Sequence, residues 1–425
     1  MEGQEYKNCI RLLEQELVPA LGCTEPSAVA YAAALARDAL GRQVQHLSVG
    51  CSGNILKNVK GVCVPNSGGM KGVEAAAALG AVHGDAERKL EVLAAVGPAH
   101  ITQAKAFLAQ GRCTCHLLPS PPLLHIVVRA EADGVWAEAE IRDHHTNVTR
   151  VTVNGQDHFR AAAPASGDVP APDPMDLSVR LILEFADILK IDDVEEVLER
   201  QVRLNSAISA EGLAHPWGVG VGQMLLEAFG TDIKNRARAA AAAGSDARMG
   251  GCTLPVIINS GSGNQGITVS LPVVEYARAL GCGRDRLYRA LALANLLSIH
   301  QKKYIGSLSA YCGAASAGCA AACGIAYLHG AGYEELCATI TNTLCDIGGM
   351  VCDGAKASCA AKIAAAVDAG LMGWELARRG RRFGGGEGLV ADNGDVEQTI
   401  RNVGRMGREG MYATDQEILS IMVGH

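Results

Sequence analysis

Aromatic side chains are scarce in this chain of 425 residues, at 4% of the total, whereas glycines number 50. A core with so few rings has to be built from Ala, Leu, Val and Gly, which lets helix backbones approach closely and leaves little bulk to fill a pocket. No run of Lys or Arg is long enough to follow a phosphate backbone, and the formal charge of -7 makes nucleic acid an unsuitable partner. No CxxC pair occurs, which argues against the usual four-ligand zinc site. The opening stretch MEGQEYKNCIRLLEQEL is charged and amphipathic and lacks the regions of a signal peptide, so a cytoplasmic protein is expected. Gly306 to Leu328 carries no charge, but it is mostly Gly, Ser, Ala and Cys and reads as a buried helix, with no membrane partner.

What is present in quantity is cysteine. Fifteen cysteines in a reducing compartment are not expected to form structural disulfides, and seven of them crowd between Cys312 and Cys359. Free cysteine is an ordinary small core residue. The crowding nonetheless favours a metal or cluster site over scattered packing.

At this length two domains are expected. The first forty residues read as two helices, the second starting after GCTEP, where Thr24 can cap and Pro26 suits the first turn. QHLSVGCSGNILKNV and GVCVPNSGG read as short β-like runs, KGVEAAAALGAVHG and ITQAKAFLAQG as helices, and HIVVRAEA, VWAEAEIRD and VTRVTVNG as antiparallel strands. Residues 161 to 174 make the best linker, and from Met175 the pattern is almost wholly helical. The expected fold is α+β: N-terminal helices with a small mixed or antiparallel sheet over 1–170, then an all-helical domain over 171–425.

Glycine-rich turns break the helices. SGSGNQG, Ser260 to Gly266, contains GxGxxG, but the surroundings are helical and the dinucleotide reading is rejected. Its Ser260, Ser262, Asn264 and Gln265, with free amides between them, suit the carboxylate and ammonium of an amino acid. In CDIGGMVCDGAKASC, Cys345 and Cys352 flank a Gly-Gly pair that permits a chain reversal aiming both sulfurs at one centre. On an unbroken helix the same interval would merely put them on one face. Cys312 follows another glycine-bearing turn and could close the set, while Cys319, Cys323, Cys337 and Cys359 sit in Ala-rich helical text and read as core. Three widely spaced thiolates suit an iron-sulfur cubane with one open iron.

Cys23 sits at a helix N-terminus, where the dipole is expected to lower its pKa, although a buried packing cysteine is an equal reading. Glu25 beside it reads as a helix-end carboxylate or a ligand for a substrate ammonium. Lys302, Lys303 and Lys356 lack the context of a Schiff-base lysine. A lysine flanking a cluster, such as Lys356, could instead neutralise a substrate carboxylate. His300 reads as a satisfied helix-end histidine.

Together LGCTEP, SGSGNQG, YCGAASAGCAAACG and CDIGGMVCDGAKASC resemble, in order and across essentially the whole chain, the L-cysteine desulfidases, a family similar to the alpha chain of iron-sulfur L-serine dehydratases. The resemblance implies a 4Fe-4S lyase acting on a small amino acid, with Cys312, Cys345 and Cys352 on the cluster and Cys23 as the catalytic thiolate. In the dehydratases the final cysteine pair is more widely spaced and the chain ends in a cysteine. Here the spacing is shorter and the sequence ends IMVGH, which favours the desulfidase branch. The oligomeric state stays open between a monomer and a homo-oligomer.

Overall fold

In a computed structural model, which describes residues 1, 3–118, 124–161, 177–306 and 309–423, the N-terminal half alternates helix and sheet. Its elements are α1 (Gly3–Glu16), β1 (Pro19–Leu21), α2 (Thr24–Leu40), β2 (His46–Cys51), α3 (Gly53–Lys60), α4 (Val73–His83), α5 (Pro98–Ala109), β3 (Cys113–Leu117), β4 (His125–Ala132), β5 (Val135–Arg142), β6 (Val148–Val153) and β7 (Gln156–Arg160). Strands β3-β2-β4-β5-β6-β7 form one mixed sheet in that order; β2 and β3 run parallel and the other neighbours antiparallel. Along β4 every second residue is buried, and those residues (Ile126, Val128, Ala130, Ala132) face α2.

The shortage of rings has the expected consequence here. Helix α2 is buried on nearly every side between α4 and the sheet. It fits because its neighbour is cut back to hydrogen: a Cβ on Gly80 of α4 would stand 2.2 Å from the Ala30 carbonyl oxygen.

The second half is helical: α6 (Val179–Ile188), α7 (Glu195–Ala214), α8 (Val221–Phe229), α9 (Ile233–Gly250), then the three-residue strand β8 (Pro255–Ile257), α10 (Gly263–Ala279), α11 (Arg284–Ile305), α12 (Gly313–Leu328), α13 (Tyr333–Ile347), α14 (Cys359–Ala377), α15 (Val396–Arg405) and α16 (Tyr412–Val423). The α+β class is therefore observed. Among the described residues no helix is long and apolar enough to cross a membrane, and α12, the uncharged stretch, is buried along its length.

The two ends of the chain tie the halves together. β1 pairs antiparallel with β8, Ala20 opposite Val256, and α1 buries Cys9, Leu12 and Leu13 in the helical core. α16 lies across α3, where Lys57 forms an ion pair with Asp415.

Some local expectations fail. NILKNV is not β-like; it forms α3, because Ile55 and Val59 are one helical turn apart and both bury. GVCVPNSGG is a turn region with only a Cys63–Lys71 bridge. β3, CTCHL, is a strand without an alternating apolar signal, since its edge position leaves half of it exposed. Residues 162–174 of the expected linker lie outside the described residues.

Candidate active site

The loops that β1, β8 and the helix ends bring together enclose a cavity of about 110 Å³. Cys23, Glu25, Ser260, Ser262, Asn264, Gln265, Cys312 and Cys352 line it; Cys345 and Lys356 do not.

One wall is the start of α2. Cys23 is its N-cap residue and is 2% exposed. Its Sγ donates to Glu25 Oε2 at 3.0 Å, Thr24 Oγ1 donates to the same oxygen at 3.0 Å, and Asn58 Nδ2 donates to Oε1 at 3.0 Å. His145, in the turn between β5 and β6, brings Nε2 to 3.9 Å from Oε1. Burial alone would raise the Glu25 carboxyl, yet His145 and the Cys23 thiol hold it well below the usual carboxylate range.

Cys23 goes the other way. Burial first, and the Glu25 carboxylate second, push its thiol well above the ordinary value. The lowered pKa expected from the helix dipole is therefore corrected: an adjacent full negative charge in a desolvated site outweighs partial charges at a helix end.

The second wall is the turn before α10. Asn259 and Ser262 exchange backbone hydrogen bonds around Ser260 and Gly261, which take φ of 49° and 77°. Ser262 caps α10 by accepting from Gln265 N–H. Two buried carbonyl oxygens of this segment, Asn264 Oδ1 and Gln265 Oε1, have no donor. Thr24 Oγ1 lies 3.2 Å from the Gly261 carbonyl and links the two walls.

The third wall carries the sulfurs. Tyr311 and Val351 form a short antiparallel bridge, flanked by Cys312 N–H on the Met350 carbonyl at 2.9 Å and Cys352 N–H on the Ala310 carbonyl at 2.6 Å. This pairing sets Cys312 and Cys352 side by side. Cys352 accepts the Cys312 S–H, and with Lys57 and Lys302 nearby its thiol is lowered to about 6 despite burial. Cys312 is correspondingly raised.

Cys359, at the first turn of α14, packs against Cys23, Val62 and Met249 as a core residue and also completes this wall, which the core reading did not anticipate. The loop reaches it through Gly354, at φ 96°, where a Cβ would stand 2.4 Å from the Lys57 carbonyl oxygen. Cys319, Cys323 and Cys337 are buried packing residues as expected.

Cys345 is exposed on the last turn of α13. The Gly348–Gly349 turn does reverse the chain, but it does so after α13 has already pointed Cys345 outward. Lys356 Nζ is engaged by the Asp353 carboxylate at 2.7 Å. His300, 1% exposed, pairs with Glu397 at 2.7 Å.

Sequence reasoning missed Asn58, His145, Arg248 and Lys362, all of which line the cavity, and weighed Lys302, which lines it too, only as a Schiff-base lysine. Asn58 was hidden by the β-like reading of α3, and Arg248 by the Ala-rich text of α9. Among the described residues no group of three His, Cys, Asp or Glu side chains could hold a single metal ion. A four-iron cluster is a larger object whose thiolates stand farther apart. Soft sulfur donors, one of them acidified and flanked by lysines, fit such a group.

A family model described as the serine dehydratase alpha chain matches residues 87–420. The chain belongs to the serine dehydratase alpha-chain family. The resemblance read from the motifs is borne out to that extent. The matched span holds the SGSGNQG turn and the three cavity thiols Cys312, Cys352 and Cys359, whereas Cys23, Glu25 and Asn58 precede it. Full-length relatives carry the name UPF0597 protein. The chain is 47% identical to one from Desulfitobacterium hafniense over 425 residues, covering 100% of this chain and 98% of the relative. It is also 47% identical to one from Lachnoclostridium phytofermentans over 418 residues, covering 98% and 100%.

Proposed function

We propose that this family member is an iron-sulfur-dependent L-cysteine desulfidase, a carbon-sulfur lyase that converts L-cysteine to sulfide, ammonia and pyruvate. The observation that carries the reading is the ionised Glu25 accepting the Cys23 S–H at 3.0 Å in the same cavity as Cys312, Cys352 and Cys359. A base and a set of soft metal ligands thus line one cleft.

In this reading Cys312, Cys352 and Cys359 hold a 4Fe-4S cluster, with Cys359 as third ligand because Cys345 stands outside the cavity. When bound, the cluster supplies a Lewis-acidic iron with an open position that polarises the substrate. Lys57, Lys302 and Lys362 offset the negative charge of the thiolates.

The remaining work falls to side chains. Cys23 Sγ is the group placed to take the proton from the substrate Cα as a thiolate. The resting pair, thiol raised and Glu25 carboxyl lowered, opposes release of its own proton to Glu25 Oε2, so that transfer has to be driven by the change of charge when substrate enters. The freed C–H electron pair forms the Cα–Cβ double bond, and the Cβ–S bond breaks with its electrons on the departing sulfide. Aminoacrylate then tautomerises and hydrolyses to pyruvate and ammonium. Ser260, Ser262 and the unpaired carbonyls of Asn264 and Gln265 hold the polar end of the substrate. Holding the substrate at both ends keeps the weakly acidic Cα–H next to its base.

Membership of the serine dehydratase alpha-chain family favours a second reading, elimination of water from L-serine by the same groups. Anaerobically reconstituted protein should release sulfide and pyruvate from L-cysteine faster than pyruvate from L-serine. Turnover of serine alone, with no sulfide from cysteine, would sink the desulfidase reading.

A further inference from the structure

Arg248 is an unusual arginine. It lies on the last turn of α9, is 2% exposed, and lines the cavity. Its buried Nε has no hydrogen-bond acceptor. No carboxylate among the described residues pairs with the guanidinium. Glu25, the nearest acid in the cavity, is engaged by Cys23, Thr24 and Asn58. The position is nonetheless built for it: a Cβ on Gly263 would stand 2.4 Å from Nε, so the first residue of α10 is stripped to hydrogen to let the guanidinium lie against it.

A buried cation without a counter-ion is costly and persists where something supplies the missing charge. Here the positive end of α10 points the same way, because its N-cap Ser262 also lines the cavity. Cation and helix end together call for an anion, and a planar fork of donors fits a carboxylate. A few residues away the two carbonyls lacking donors, Asn264 Oδ1 and Gln265 Oε1, call for a cation. The cavity is thus complementary to a zwitterion.

We infer that Arg248 is the receptor for the α-carboxylate of the amino-acid substrate and makes the free carboxylate a condition of binding. The inference rests on the desulfidase reading for the identity of the substrate, though not for its class. Amino-acid esters, amides and cysteamine leave the guanidinium unpaired and are rejected.

The test compares wild type with R248M, which keeps an apolar stem, and R248K, which keeps the charge without the fork. Iron content and thermal melting are measured on each. Sulfide release is followed from L-cysteine and from L-cysteine methyl ester, and anaerobic calorimetry follows binding of L-alanine and of L-alaninamide. The expected result is a rise of about 10- to 100-fold in KM for L-cysteine and the same loss of L-alanine affinity in R248M. A smaller loss is expected in R248K, with no change for the methyl ester or the amide. Without ligand R248M melts no lower than wild type, because a structural arginine would be missed and an unpaired one is not. Unchanged L-alanine affinity in R248M, or lowered melting in both variants with L-alanine affinity intact, overturns the inference. If wild type releases no sulfide from L-cysteine while L-alanine binding still depends on Arg248, the carboxylate assignment stands and the desulfidase reading falls.

Discussion

Cys23 and Glu25 share a single proton, and the proton sits on sulfur: Sγ donates to Oε2 across 3.0 Å, with the thiol pushed up and the carboxyl held down. The pair is a resting acid–base couple rather than a preformed thiolate. Replacing Glu25 by Gln removes the charge that helps to raise the thiol, so Cys23 should become more acidic. Its alkylation by iodoacetamide, followed on the Cys23 peptide by mass spectrometry across pH, should show a lower midpoint in E25Q than in wild type. Turnover should nevertheless fall by about 10²–10⁴, because the proton acceptor is lost. An unchanged alkylation profile would show that Glu25 does not control the thiol.

The sulfur wall makes a second expectation. C312S, C352S and C359S proteins purified without oxygen should lose most of their iron and acid-labile sulfide, whereas C345S should keep both. Retention of iron by C359S together with its loss from C345S would return the ligand set to the one implied by resemblance.

That contrast also marks how far the sequence could be read. The existence of α2 was visible, though its cap is Cys23 and Thr24 is already inside the helix with its hydroxyl on Glu25. The β4–β5 hairpin was visible because Asp133 and Gly134 both adopt positive φ, at 50° and 76°, as the Asp-Gly signal requires. The SGSGNQG turn was visible because glycine and polar residues are local signals. Cys345 and Cys359 could not be sorted that way. Their fates depend on the pairing of Tyr311 with Val351 and on which side of α13 faces the core, both set by partners far along the chain. Arg248 was hidden for a related reason: in sequence a lone Arg in a helix looks like a solvated charge, and only burial without a partner distinguishes it.

A third prediction concerns pH and lies outside the site. Asp246 is fully buried on α9, where it accepts Gly222 N–H at 3.0 Å and so caps α8, while its Oδ1 has no partner. Burial pushes its carboxyl up to about 6, against the partial relief of the α8 amides. A carboxyl raised in the folded state binds its proton more tightly there than when unfolded. Its contribution therefore favours folding at low pH and is lost as pH rises from about 4 to 6, with a limiting slope of about 1.4 kcal/mol per pH unit. Urea unfolding of wild type and D246N at pH 4.5, 5.5 and 6.5 should show that slope component in wild type and its absence in D246N. Equal slopes would refute it.

The last prediction separates stability from cluster binding. Lys57, 2% exposed on α3, pairs with Asp415 of α16, and it also lies near enough to Cys352 to help lower that thiol. Removing one partner strands the other in a dry site. D415A should accordingly lose about 3–5 kcal/mol of stability. Replacing both with apolar residues, in K57M/D415L, removes the desolvation of both charges and should recover most of that loss. It does not restore the cation beside Cys352. The double variant should therefore melt close to wild type yet take up iron less well on reconstitution, and alkylation of Cys352 in its cluster-free form should shift to higher pH. Full iron uptake with an unshifted Cys352 profile would show that Lys57 serves only to fasten α16 across α3.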